Sequence, residues 1–159
     1  MNSNNKIFKI ENKKLLDLLH NPVDTIDDEI KKVLDIFSAI ILCSSEDDIH
    51  LDYADFVYVL ENAVESYVVS LQSDSKNSVT TMIKEMVQEV LLDNNLMEKI
   101  VGVLINFKLH PDFDLSVLSG VMEIINENTN KNCVVIFGTC TDKRMNKDDM
   151  ELIAIISYL

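Results

Sequence analysis

"KIVGVLINFKL", Lys99 to Leu109, decides the fold. It is apolar at nearly every alternate position and partly so on the other face, the pattern of an interior strand covered on both sides. "HPDFDL" then turns the chain, and Asp114 is placed to cap a helix carrying Leu115, Leu118, Met122 and Ile125 on one face. "NCVVIFGT", Asn132 to Thr139, reads as the next strand. Strand, helix, strand with short connections predicts a right-handed parallel crossover. After the charged turn "TDKRMNKDD", the segment "MELIAIISYL" is apolar on both faces and so central. The turn is short enough for that last strand to pair antiparallel with a neighbour.

Upstream, "KIFKI", Lys6 to Ile10, alternates as a short strand, and "ENKKLLDLLHNP" reads as a short helix stopped by Pro22. Thr25 is placed as an N-cap, with Asp27, Asp28 and Glu29 favourable against the helix dipole. Ile26, Ile30, Val33, Leu34, Phe37 and Ile41 then recur with helical spacing, giving an amphipathic helix of about four turns or more. Phe56, Leu60, Ala63, Val64 and Tyr67 mark a second helix, with "YVVSLQ" as a strand directly after it. Val79, Met82, Ile83, Met86, Val87 and Val90 form the cleanest helical stripe, with its methionines as core filling. The expected architecture is α/β (α+β), a mixed sheet of about four strands packed with helices.

Composition narrows the function. The 159 residues are 47% hydrophobic and 26% charged, enough for one domain with a sizeable core. A formal charge of −13 argues against binding nucleic acid or an anionic membrane surface, both of which call for clustered Lys and Arg. No apolar run reaches the roughly 20 residues that span a bilayer. "MNSNNKIFKIENKK" lacks the apolar core of a signal peptide, so a cytoplasmic location is expected. Only three glycines occur, each alone, whereas a phosphate-cradling loop needs several together, so no nucleotide or other cofactor is expected. Cys43, Cys133 and Cys140 show no CxxC or Cys/His spacing. They read as small buried apolar residues of a reducing compartment, with no metal site expected.

"HLDYADF", His50 to Phe56, places Asp52 and Asp55 three residues apart at a helix start. Each acid by itself reads as a helix cap. The surrounding motifs add a second reading. "HLDYADF" resembles the synergy loop N-x-D-F-A-D-V of the FtsZ/tubulin family, "VGVLIN" its G-V-L-[IV]-N strand, and "VVIFGTCTD" its I-I-F-G-x-x-x-D strand and turn. "MELIAIISYL" is similar to the closing strand R-V-T-V-I-A-T-G, "FKIENKKLL" to I-x-I-P-N-D-K-L-L, and "IDDEIKKVL" to the A-N-D-V-L start of the central helix. These six run in one order from about residue 6 to residue 158.

The resemblance implies the central helix and C-terminal domain of bacterial FtsZ without the GTPase domain. Residues 1–44 would correspond to the end of the nucleotide domain plus the central helix, and residues 45–159 to the C-terminal-like domain. It implies that Asp52 and Asp55 match the acids that act in trans on a neighbouring subunit's nucleotide, where a carboxylate can orient or polarise the attacking water. His50, Leu51, Tyr53 and Phe56 would then lie at the interface. Asn12 matches a position near the nucleotide, Asp27 stands where the family has the Asn that touches guanine, and His50 stands for the synergy-loop Asn.

The implied protein is not an enzyme on its own. It would dock on the nucleotide end of FtsZ and modulate filament assembly. As the C-terminal half of a split FtsZ-like GTPase it would instead supply Asp52 and Asp55 to a separate chain. In that case the edge at "KIFKI" and the face at Ile30, Val33 and Phe37 should lie uncovered in the isolated chain. A self-associating scaffold is the third possibility.

Overall fold

The structure is a computed structural model that describes residues 6–21, 28–43, 45–73, 78–92 and 95–159. The expected stop at Pro22, the cap at Thr25, and Ile26 and Asp27 lie outside the described residues. Five strands form one mixed sheet: β1 (Lys6–Glu11), β2 (Glu65–Gln72), β3 (Ile100–Leu109), β4 (Val134–Thr141) and β5 (Met150–Tyr158). Their order is β1-β2-β5-β3-β4. β5 is central and antiparallel to both β2 and β3, while β3 and β4 run parallel through the helix between them. The doubly apolar patterns of β3 and β5 match these inner positions.

Where the sequence suggested about four strands, the fifth is β1, which pairs antiparallel with β2 along its whole length. Lys9 helps to fix this edge. Its Nζ lies 2.9 Å from Glu65 Oε2, the same oxygen that accepts from the Tyr158 hydroxyl at 3.0 Å. One cluster thus ties β1, β2 and β5 together.

Alternation along the strands gives the sheet two apolar faces. On one, Val103, Ile105, Phe107, Leu152, Ala154 and Ile156 pack against α4 (Val79–Met86), the π-helical turn that continues it (Val87–Leu92), and α5 (Ser116–Glu127). On the other, Val68, Leu104 and Ile155 meet α1 (Asn12–His20), α2 (Asp28–Ile41) and α3 (Tyr53–Glu61). Val33, Phe37 and Ile40 of α2 are buried in this second core, and the Phe37 ring lies 4.6 Å from that of Phe56.

The helix after "HLDYADF" is shorter than its apolar spacing suggested, because it ends at Glu61. Ala63, Val64 and Tyr67 are not helical. Val64 N donates to Tyr158 O at 3.0 Å, and Asn12 N donates to Val64 O at 3.0 Å. The β-branched and aromatic run that follows gains strand partners on both sides, and that pairing overrides the helical period.

Candidate interaction site

Asp52 is the N-cap of α3, with an extended backbone (φ −110°, ψ 176°). Its Oδ1 accepts from Asp55 N at 3.1 Å, while Asp55 Oδ2 accepts from Asp52 N at 2.9 Å. The two acids form a reciprocal capping box, and the helix dipole favours their charge. The capping role is therefore real. It leaves Asp52 Oδ2 and Asp55 Oδ1 without a hydrogen bond among the described residues. Asp52 is exposed and Asp55 half-buried.

The remaining expected interface residues divide. His50 is exposed and Tyr53 is 42% exposed. Leu51 and Phe56 are corrections, at 5% and 1% exposure. Both are core side chains, since Phe56 packs on Phe37 and Leu51 lies over Gly138. Exposed Ile41, Leu42 and Ile49 supply apolar surface that the motif did not reveal. His20 closes α1, and its ring meets that of Tyr53 edge-on at 6.3 Å.

The segment leading into the acids is fastened along the outer edge of β4. Thr139 N donates to Ile49 O and Ile49 N donates to Thr139 Oγ1, each at 2.9 Å. Asp48 is buried, and its Oδ1 accepts from Thr139 Oγ1 at 3.0 Å. Its Oδ2 accepts from Thr141 N at 3.0 Å and Thr141 Oγ1 at 3.1 Å. His50 Nδ1 lies 3.2 Å from the Cys43 carbonyl oxygen. Gly138 permits this close approach, because a Cβ there would meet Leu51 Cγ at 2.5 Å and Ile49 O at 2.7 Å. Asp48, Gly138, Thr139 and Thr141 were missed from the sequence. The one available signal was Thr139 and Thr141, two hydroxyls on the same side of a strand.

The cysteine reading is corrected as well. Cys43 and Cys140 form a disulfide across 97 residues. Only Cys133 is a free thiol, half-buried, and burial pushes its pKa up.

Asn12, expected beside a nucleotide, is enclosed. Its Nδ2 donates to Leu60 O at 3.0 Å, and its Oδ1 accepts from Ser66 Oγ at 2.6 Å. Ser66 Oγ in turn lies 2.7 Å from Ser157 Oγ. This buried polar chain joins α1, α3, β2 and β5, so Asn12 faces the interior and not a ligand. Among the described residues, no group of three or more His, Cys, Asp or Glu is placed to hold a metal ion, and no helix is long and apolar enough to cross a membrane.

A sheet ordered in this way, with helices on both faces and an acid-capped helix entered from a loop on the edge strand, defines a tubulin-like C-terminal domain. The model of the FtsZ family, C-terminal domain, matches residues 68–159, and the chain belongs to that family. The cell division proteins FtsZ of Neisseria meningitidis serogroup A and Neisseria gonorrhoeae are each 26% identical over 134 residues, 84% of this chain and 34% of theirs. The chain thus spans about a third of the length of these curated relatives.

Among solved structures, an empty FtsZ dimer of M. jannaschii superposes with a TM-score of 0.53 at 21% identity, covering 92% of this chain and 43% of that one. A point mutant of M. jannaschii FtsZ gives 0.59 at 19%, covering 89% and 44%. CetZ from Methanosaeta thermophila gives 0.56 at 17%, covering 82% and 35%. At these identities the likeness is one of fold.

Proposed function

We propose that this chain is an FtsZ-type interaction protein that docks its Asp52/Asp55 turn on the nucleotide-bearing end of an FtsZ filament and modulates assembly. One observation carries the reading: both acids project from a capped turn that is pinned to β4 and keep an oxygen each for a partner. Exposed Ile41, Leu42, Ile49 and Tyr53 offer apolar surface beside them. Acting in trans, Asp52 and Asp55 would polarise the water that attacks the neighbour's nucleotide, and the chain would not hydrolyse nucleotide alone. Residues 1–44 would keep the place of the family's central-helix region, and residues 45–159 that of its C-terminal domain.

The covered face of α2 favours this reading over a split GTPase. Val33 and Phe37 are buried by the chain itself and Ile30 is half-buried, while β1 pairs with β2 on one side and has no strand partner on its outer side among the described residues. The test adds the protein below stoichiometry to polymerising FtsZ and follows pelleting and GTP hydrolysis. Both should change, and association should strengthen with salt over a modest range because two acidic surfaces meet. Unchanged pelleting and hydrolysis, with no binding at any salt concentration, would sink the proposal.

A further inference from the structure

Ahead of Leu51, which packs over Gly138, two kinds of tie hold the segment from Ser45 to Ile49 against β4. One is the set of hydrogen bonds from Ile49 and Asp48 to Thr139 and Thr141. The other is the covalent bond between Cys43, just before the segment, and Cys140, between those two threonines. Both disulfide cysteines are half-buried. Neither cysteine belongs to the two apolar clusters that flank the sheet.

The geometry points to a redox latch: a dithiol opens the Cys43–Cys140 bond and loosens the Ser45–Ile49 segment from β4, while Leu51 stays packed over Gly138 and the sheet stays folded. A thiolate of the dithiol attacks Cys140 Sγ and forms a mixed disulfide. Cys43 Sγ leaves as a thiolate and takes a proton from water. The reductant's second thiol then displaces Cys140, which is protonated in turn. Two electrons have passed to the protein, and the dithiol has become a disulfide.

Cys133 does not interfere. It precedes the far end of β4, about 23 Å from Cys140 at the usual strand rise, and its raised pKa keeps it protonated and unreactive. The Cys43–Cys140 bond lies outside both apolar cores, and exchange proceeds wherever a thiolate reaches a disulfide sulfur. Once the bond opens, the hydrogen bonds of Asp48 and Ile49 and the packing of Leu51 are all that hold the loop, and ties of this local kind open without global unfolding. The capped turn of Asp52 and Asp55 then keeps Leu51 as its anchor but loses the covalent support further along its N-terminal side. The effect on filament docking rests on the function proposed above, whereas the latch itself does not.

The test compares amide hydrogen exchange of the whole chain after oxidation with glutathione disulfide and after reduction with dithiothreitol. On reduction, protection at Ile49, Thr139 and Thr141 should fall about tenfold or more, while Val68, Leu104 and Ile155 change less than about twofold. Cys43→Ser should match the reduced protein in both buffers, and Cys133→Ser should respond as the wild type does. Three results would overturn the latch: equal protection in both states, loss of protection in all strands together, or three titratable thiols after glutathione disulfide. Co-sedimentation with FtsZ in both redox states separates the two ideas. A shift in exchange with no binding in either state leaves the latch standing and removes the docking function.

Discussion

Replacing Gly138 by alanine tests how the acid-bearing loop is seated. The added Cβ would fall 2.5 Å from Leu51 Cγ, 2.7 Å from Ile49 O and 3.0 Å from Leu51 Cδ1. Leu51 can turn aside at its flexible end. Ile49 O cannot, because it is backbone held by Thr139 N at 2.9 Å. The loop must therefore lift. Overpacking costs about 1–3 kcal/mol, and a weakened loop–strand hydrogen bond adds about 1 kcal/mol. The variant should lose about 2–4 kcal/mol of stability, a fall in Tm of about 4–16 °C for a chain of this size.

Gly120→Ala provides the control. Gly120 lies inside α5 with nothing within 4 Å of the added atom. The same change there should stabilise by about 0.5–1 kcal/mol, because alanine loses less backbone freedom in a helix. Urea midpoints of the two variants, measured side by side, should move in opposite directions. A Gly138→Ala midpoint within about 0.5 kcal/mol of the wild type would refute the claim that close approach fixes the loop. Equal losses in both variants would refute it as well.

The Asn12→Ala variant should lose about 1–2 kcal/mol in urea unfolding, since two buried hydrogen bonds go, although Leu60 O keeps Ala63 N and Ser66 Oγ keeps Ser157 Oγ. Burial is the largest influence on Tyr158, whose pKa is pushed up to about 12, so its neutral form stabilises the fold fully below its unfolded pKa of about 10. That contribution should fade as pH rises toward about 12, and absorbance titration should show a late-ionising phenol that Tyr158→Phe removes. Glu65 is shifted the other way, first by its bond to Lys9, so its contribution holds above the ordinary carboxylate pKa. It should be lost as pH falls through the lowered value, and hydrogen exchange along β1 should speed up there.

Much of the fold could be read locally. β3, α5, β4 and β5 each declare themselves within a dozen residues, because covered strands are apolar on both faces and a capped helix shows its spacing. What escaped depends on distant partners. Nothing in "KIFKI" says that its mate is Glu65–Gln72, and nothing in Cys43 points to Cys140. The Asn12–Ser66–Ser157 chain draws its three polar residues from three separate elements. Asp48 is buried and Asp47 exposed, yet as neighbouring residues they read alike until β4 is in place. Leu51 and Phe56 illustrate the limit at the site itself. The motif located the turn, but only packing shows which of its side chains face inward.

Asp52 and Asp55 carry two roles that substitution can separate. Asparagine caps a helix as well as aspartate does, because a carbonyl oxygen also accepts from the N3 amide. Asp52→Asn should therefore keep the bond from Asp55 N and stay within about 0.5 kcal/mol of the wild type, whereas Asp52→Ala should lose about 1 kcal/mol. An amide cannot take a proton from water as a carboxylate can. If the acids act on a neighbour's nucleotide, Asp52→Asn should bind FtsZ as the wild type does yet no longer alter its GTP hydrolysis. If capping is their whole role, that variant should match the wild type in every assay, and only Asp52→Ala should differ, through stability alone. Stability reports the cap and FtsZ turnover reports the chemistry, so each role has a readout that the other does not move.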